Sequence, residues 1–124
     1  MIDTIILIAG ADDGGRADLA ASVADAGYAV VVAQAADAPI QVRGIQPSAV
    51  VLETTHVAPD VAVTLVQYIR SLTPQPLLVV VASDDDCTGP AALDAGADDF
   101  LRRPLAAPEL QARLRAHLRR CPDR

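Results

Sequence analysis

Short apolar runs alternate along the chain with longer segments whose apolar positions recur three to four residues apart, and the alternation repeats five times. The runs predict strands over Thr4–Ala9, Tyr28–Ala33, Ala49–Leu52, Leu77–Ala82 and Asp99–Leu101. The second is rich in valine and the third and fourth are almost wholly apolar, as expected of parallel strands covered on both faces. Between them, Arg16–Ala26 predicts a helix with Leu19 and Val23 one turn apart, an acid (Asp12 or Asp13) near its start and Gly27 as its stop. Pro39–Gly44 predicts a short second helix. Asp60–Leu72 predicts a third, with Pro59 before it and with Val61, Leu65, Tyr68 and Leu72 as its apolar stripe. Pro90–Ala95, closed by Gly96, predicts a fourth. The fifth, Pro108–Arg120, carries Leu110, Leu114 and Leu118 in one stripe, Glu109 at its positive end, and Arg119 and Arg120 at its negative end.

Five such units predict an α/β fold: a flavodoxin-like (βα)5 doubly wound parallel sheet of five strands in the order 2-1-3-4-5. The whole chain, 1–124, is expected to form one domain. In such sheets the site lies at the carboxyl ends of the strands. That directs attention to Gly10–Gly15, Glu53–Asp60, Ser83–Asp86 and Arg102–Leu105.

Composition narrows the function. With 124 residues there is room for one core of ordinary size, and no apolar run approaches the roughly 20 residues of a membrane-spanning helix. The amino terminus carries Asp3 where a secretory signal carries basic residues, so a cytoplasmic protein is expected. Cys87 and Cys121 lack metal-site spacing and read as reduced thiols. The net charge of −6 argues against direct contact with nucleic acid, whose binding rests on phosphate neutralisation. Every basic residue is arginine, and the acids are aspartate except for Glu53 and Glu109.

The stretch AALDAGADDFLRRPLAAPELQARLRAHLRR, Ala91 to Arg120, resembles the carboxyl-terminal third of a bacterial two-component response-regulator receiver domain, with the pattern ALxAGADDYLxKPFxxxELxARIRAxLRR. AGYAV at Ala26–Val30, PSAVVLE at Pro47–Glu53, YIR at Tyr68–Arg70 and PLLVVVAS at Pro76–Ser83 extend the resemblance along the chain. It implies an acid pair that holds Mg²⁺, an aspartate that accepts a phosphoryl group from a histidine kinase, and a hydroxyl and a lysine that grip the phosphoryl oxygens. By spacing, the acid pair falls on Gly10 and Ala11, the acceptor on Glu53, the hydroxyl on Val81 and the lysine on Arg103. The aromatic that turns inward in the family's switch falls on Phe100. All the phosphoryl-site positions are substituted, so the resemblance is to a degenerate form, a pseudo-receiver.

Each substitution has a chemical consequence. Gly10 and Ala11 offer Mg²⁺ no carboxylate. Glu53 keeps the charge but moves its oxygens by roughly 1.5 Å, and misplacement of about 1 Å can cost of order 100-fold in rate. That acid stands either for a permanent imitation of the phosphorylated state or for a charge retained because it pairs with Arg103. Val81 donates no hydrogen bond, and Arg103 exchanges a point charge for a planar fork. The resemblance also implies a cis Arg103–Pro104 bond. The loop TTHVAPDVAV lacks the family's proline at Val57 and its glycine near Val61.

Other residues leave two readings open. Asp12 and Asp13 are displaced metal ligands or helix caps; His56 is a ligand or a solvated loop residue; Asp84–Asp86 is a cation site or a charged turn before a helix. AGADDGG matches no phosphate-binding motif. The expectation is therefore a non-enzymatic signalling module without cofactor or metal, acting on an output domain outside this sequence. A phosphorylatable receiver using displaced acids and a small-molecule-binding flavodoxin-like domain are the alternatives. A homodimer is expected through the fourth helix, fifth strand and fifth helix, with Asp98, Asp99, Glu109, Arg113 and Arg115 at the contact, and no membrane partner is expected.

Overall fold

The computed structural model describes residues 4–120; Asp3 and Cys121 lie outside them. The chain runs β1 (Ile5–Gly10), α1 (Asp13–Asp25), β2 (Ala29–Gln34), a 3-10 turn (Ala35–Asp37), α2 (Ala38–Ile45), β3 (Ala49–Glu53), α3 (Pro59–Leu72), β4 (Leu77–Val81), α4 (Thr88–Ala95), β5 (Asp99–Arg102) and α5 (Ala107–Arg119). The strands form one parallel sheet in the order β2-β1-β3-β4-β5, as the sequence predicts.

The sheet is apolar on both faces because helices cover both. Leu7, Val50, Leu52, Val79 and Val81 pack under α2, α3 and α4 with Val42, Val66, Ile69 and Ala92. Ile6, Ile8, Val51, Leu78 and Val80 pack under α1 and α5 with Leu19, Val23, Leu110 and Leu114. β3 and β4 are buried at every residue, so no polar alternation survives in their sequences.

All five helices begin earlier than the sequence predicts, α1 by three residues, α4 by two and the others by one. α1 starts at Asp13 because Asp12, in extended conformation, caps it and accepts a hydrogen bond from the Gly15 amide at 3.1 Å. That cap carries Gly14 and Gly15 into the first helical turn. α4 starts at Thr88 because Asp85 accepts from the amides of Cys87 and Thr88 at 3.0 and 2.9 Å.

The stripe predicted for α3 requires correction. Its fully buried side chains are Ala62, Val66 and Ile69. Leu65 and Leu72 are half-buried at the edge of the core, and Val61 and Tyr68 are about half exposed. α3 is apolar on two adjacent sides, and periodicity alone selects the larger residues rather than the ones facing the sheet.

An ionic knot closes the end of the sheet where β4 and β5 begin. Arg70 at the end of α3 donates from Nε to the Gly96 carbonyl at 2.8 Å, from Nη1 to the Thr73 and Gln75 carbonyls at 3.2 and 3.0 Å, and from Nη2 to Asp98 at 2.6 Å. The same Asp98 oxygen accepts from the Leu77 amide at 2.8 Å. Gly96 is needed twice: its φ of +125° is left-handed, and a Cβ there would meet Arg70 Cγ at 2.9 Å.

The two sides of α3 can be told apart by unfolding. Ile69→Ala is expected to destabilise the domain by about 2–5 kcal/mol, and Val61→Ala to stay within about 0.5 kcal/mol of the parent. Urea denaturation followed by circular dichroism checks both; equal losses would return Val61 to the core.

Candidate functional site

β1 and β3 end side by side, β5 ends beyond β4, and Arg103 just after β5 reaches back across the strand ends to the first turns of α1. Gly10 lies directly across from Glu53 in the β1–β3 register. Glu53, the last residue of a wholly buried strand, is itself 1% exposed. A buried carboxylate needs a full set of partners. Its Oε2 accepts from Arg103 Nε at 3.0 Å and Nη2 at 2.6 Å, and its Oε1 accepts from the Thr55 amide and hydroxyl, both at 2.6 Å.

Arg103 reaches further. Its Nη1 donates to Asp18 at 2.8 Å and its Nη2 to the Gly15 carbonyl at 3.2 Å. One guanidinium therefore joins α1, β3 and the segment after β5. Burial works against its charge, yet the hydrogen bonds to Glu53 and Asp18 and the charges of both carboxylates outweigh burial and hold Arg103 above its ordinary value. The following Arg103–Pro104 bond is cis.

Close packing fixes which residues the site tolerates. A Cβ at Gly10 would stand 2.8 Å from Glu53 Cβ and 3.0 Å from its Cγ, so β1 cannot carry a side chain there while Glu53 keeps its place. At Gly15 a Cβ would meet Asp12 Oδ2 and Glu53 Oε2 at 3.2 Å and Arg103 Nη2 at 3.3 Å. Arg16, predicted only as a marker of register, is buried and binds the Gly10 carbonyl and Asp13.

These facts decide how the residues present would suit Mg²⁺. Gly10 has no side chain and no room for one, Ala11 has no donor, and both Glu53 oxygens are engaged. Asp12 caps α1 with the same oxygen that lies 3.9 Å from His56 Nε2, and Asp13 turns outward to Arg16. Among the described residues no group of three or more His, Cys, Asp or Glu side chains is arranged to hold a metal. The donor set does not fit an octahedral divalent cation.

The remaining predicted residues divide. Val81 is fully buried in the core beneath α3 and α4, and Phe100 packs against the same cluster. Phe100 rests on Gly89, where a Cβ would come within 2.6 Å of its ring. His56 is mostly exposed. In the Asp84–Asp86 run, Thr88 Oγ1 is buried without a partner at full hydrogen-bond geometry; its nearness to Asp85, with the Thr88 and Cys87 amides and Arg102, holds that carboxyl below its ordinary value. Within the run Asp85 caps the start of α4, and Asp86 lies 3.4 Å from Arg102. On the opposite flank of β5, Asp99 binds Arg113 at 3.0 Å and His117 Nε2 at 3.1 Å, and Arg113 lies 3.6 Å from Glu109. Asp98 belongs to the Arg70 knot.

Gly15, Thr55 and Ser83, within the segments flagged from the sequence but given no role of their own there, line a cleft of about 450 Å³ with Asp12, Glu53, Arg103 and Asp18, and of these Asp18 lay outside every flagged segment. Thr55 carried a signal, since a hydroxyl two residues after an acid readily bonds it. Asp18 carried a weaker one, being one turn from Gly15 on α1.

No family model matches the chain. It is similar to the KDP operon transcriptional regulatory protein KdpE of Escherichia coli, 47% identical over 58 residues that cover 44% of this chain and 26% of that protein. It is also similar to the response regulator MprA of Mycobacterium avium, 56% identical over 45 residues covering 36% of this chain and 20% of MprA. The matched segments thus span about a quarter or less of these curated relatives. Among solved structures, a two-component response regulator from Clostridium difficile superposes with a TM-score of 0.82 at 27% identity, covering 94% of this chain and 97% of that one.

The Glu53–Arg103 pair can be measured directly. Glu53→Gln and Arg103→Met are each expected to destabilise the domain by about 3–5 kcal/mol, less where water enters. The double variant is expected to show a coupling energy above about 1 kcal/mol. Gly10→Ala is expected to cost about 1–3 kcal/mol through overpacking against Glu53. Equilibrium denaturation supplies all four values; zero coupling would reject the pair.

Proposed function

We propose that this response-regulator receiver domain works without phosphoryl transfer, as a degenerate receiver whose acceptor position is closed by its own arginine. The observation that carries the reading is the Arg103 guanidinium, bound at once to Glu53, Asp18 and the Gly15 carbonyl. It supplies positive charge among oxygens at the strand ends, and it does so from within the chain. A phosphoryl donor would have to displace Arg103 from Glu53 and act without a divalent cation in its usual place. The acid and the arginine hold α1, β3 and β5 together permanently. Glu53 in this reading keeps a negative charge at the acceptor position without a kinase.

In such a domain the output is protein contact. Its relatives include a protein named as a transcriptional regulator, which supports an output domain beyond this sequence as the element regulated. The net charge of −6 supports leaving DNA contact to that other domain. Among the described residues no helix is long and apolar enough to cross a membrane, and a cytoplasmic location is part of the same proposal.

Self-association through α4, β5 and α5 also belongs to it. Glu109 and Arg113 are about half exposed on α5, and Leu93 on α4 adds exposed apolar area. Arg115 is exposed beside them. Asp99 already holds Arg113 and His117 within the chain, so a two-fold contact would share these arginines between copies. Asp98, engaged by Arg70 and the Leu77 amide, contributes through the knot that fixes β5 rather than by meeting a mate. Exposed ion pairs contribute only about 0–1 kcal/mol each, so a weak, salt-sensitive dimer is expected.

Incubation with a small-molecule phosphodonor and Mg²⁺ is expected to leave the intact mass unchanged. A stoichiometric gain of one phosphoryl group would overturn the reading. Light scattering across a concentration series is expected to give a dimer at low salt that Arg113→Glu dissociates. A monomer at high micromolar concentration, unaltered by that change, would remove the dimer.

A further inference from the structure

The second apolar side of α3 is only partly covered among the described residues. Val61, Leu65 and Tyr68 stand at i, i+4 and i+7, the spacing of one continuous ridge, and Val61 and Tyr68 are 49% and 50% exposed. Across from this ridge, Ala35 and Pro39 of the 3-10 turn and α2 line the other side of a trough to which Val57 also contributes. The groove between them holds about 520 Å³. Ile40, 69% exposed on α2, carries apolar surface beyond it. Ala11 lines it too, so three positions where this chain departs from the receiver pattern by an apolar residue, Ala11, Val57 and Val61, line one groove.

Charge selects the occupant. Among the described residues no arginine lines the groove. Asp12 follows the lining residue Ala11, Asp37 lies between Ala36 and Pro39, and Asp60 lies between Ala58 and Val61, so acids flank each wall in sequence. A second copy would bring the same acids against them, and the chain as a whole carries −6. The groove is an open trough flanked by two helices, which suits a helix laid lengthwise. We propose that it receives an amphipathic helix of a partner protein, with apolar residues at i, i+4 and i+7 seated against Val61, Leu65 and Tyr68 and basic residues on its flanks. This site is separate from the Glu53–Arg103 cleft and does not depend on whether that cleft is phosphorylated.

The test uses the full chain, isotopically labelled, titrated with three synthetic helical peptides and followed by amide chemical shifts. One peptide has leucines at i, i+4 and i+7 with arginine flanks, one has the same composition with the leucines off that spacing, and one has glutamate flanks. The first is expected to bind about tenfold or more tightly than either other, with shifts clustered on α2 and α3. Val61→Asp, at a half-exposed position, is expected to weaken it about tenfold while leaving the denaturation midpoint unchanged; Tyr68→Ser serves as the second variant if that midpoint moves. Equal binding of the scrambled peptide, shifts centred on α1 and α5, indifference to both variants, or no binding at millimolar peptide would each overturn the proposal. Self-association abolished by Val61→Asp would overturn it in favour of a second copy.

Discussion

A carboxylate buried at the end of β3 sets the terms for everything around it. Glu53 is almost wholly removed from water, and a charge so placed is tolerated only when each oxygen is met by a donor. Arg103 meets one oxygen with two nitrogens and Thr55 meets the other with an amide and a hydroxyl. The arginine brings its own demands, answered by Asp18 and the Gly15 carbonyl on α1. Gly10 gives the glutamate its space and Gly15 gives the arginine its approach. The group is consistent as a set, and changing one member leaves the others strained or unpaired.

Each end of the sheet is thus tied by one arginine. Arg103 gathers the carboxyl ends of β3 and β5 with α1; Arg70 gathers the end of α3 with the starts of β4 and β5. Both use a guanidinium where several oxygens converge, for which a planar fork with five donors suits better than a single ammonium. A chain without lysine meets this need with the one cation it has. The Arg70 knot also fixes Asp98, an acid that in sequence alone looks available to a neighbouring molecule.

The acidic, aspartate-rich surface and the apolar groove beside α3 lie on the same body without contradiction. A sheet covered on both faces spends most of the large aliphatic residues inside, and small ones such as Ala62 and Ala92 let α3 and α4 approach closely. Val61 and Tyr68 are then surplus to the core, and large exposed apolar residues set together mark contact surfaces more often than ornament.

The strands, their parallel order and the helix boundaries were legible from the sequence to within a few residues, because continuous apolar runs and helical spacing follow directly from burial on two faces or one. Gly10, Ala11, Glu53 and Arg103 were singled out by the resemblance to receiver domains together with spacing, and the structure brings Gly10, Glu53 and Arg103 together. The exposed side of α3 was not, since Val61, Leu65, Tyr68 and Leu72 and the truly buried Ala62, Val66 and Ile69 share the same period. Which side faces the sheet depends on how the helix docks, and small side chains win where close approach gains more contact than bulk. Asp18, and the particular parts taken by Gly15 and Thr55 within their flagged segments, were hidden for a related reason: residues far apart in sequence gather around the Glu53–Arg103 pair only after the strands assemble into the sheet. The sequence determined which residues could form the fold; the tertiary packing decided which acids became partners of Arg103 and Arg70 and which remained on the surface, because only there are distance and burial set.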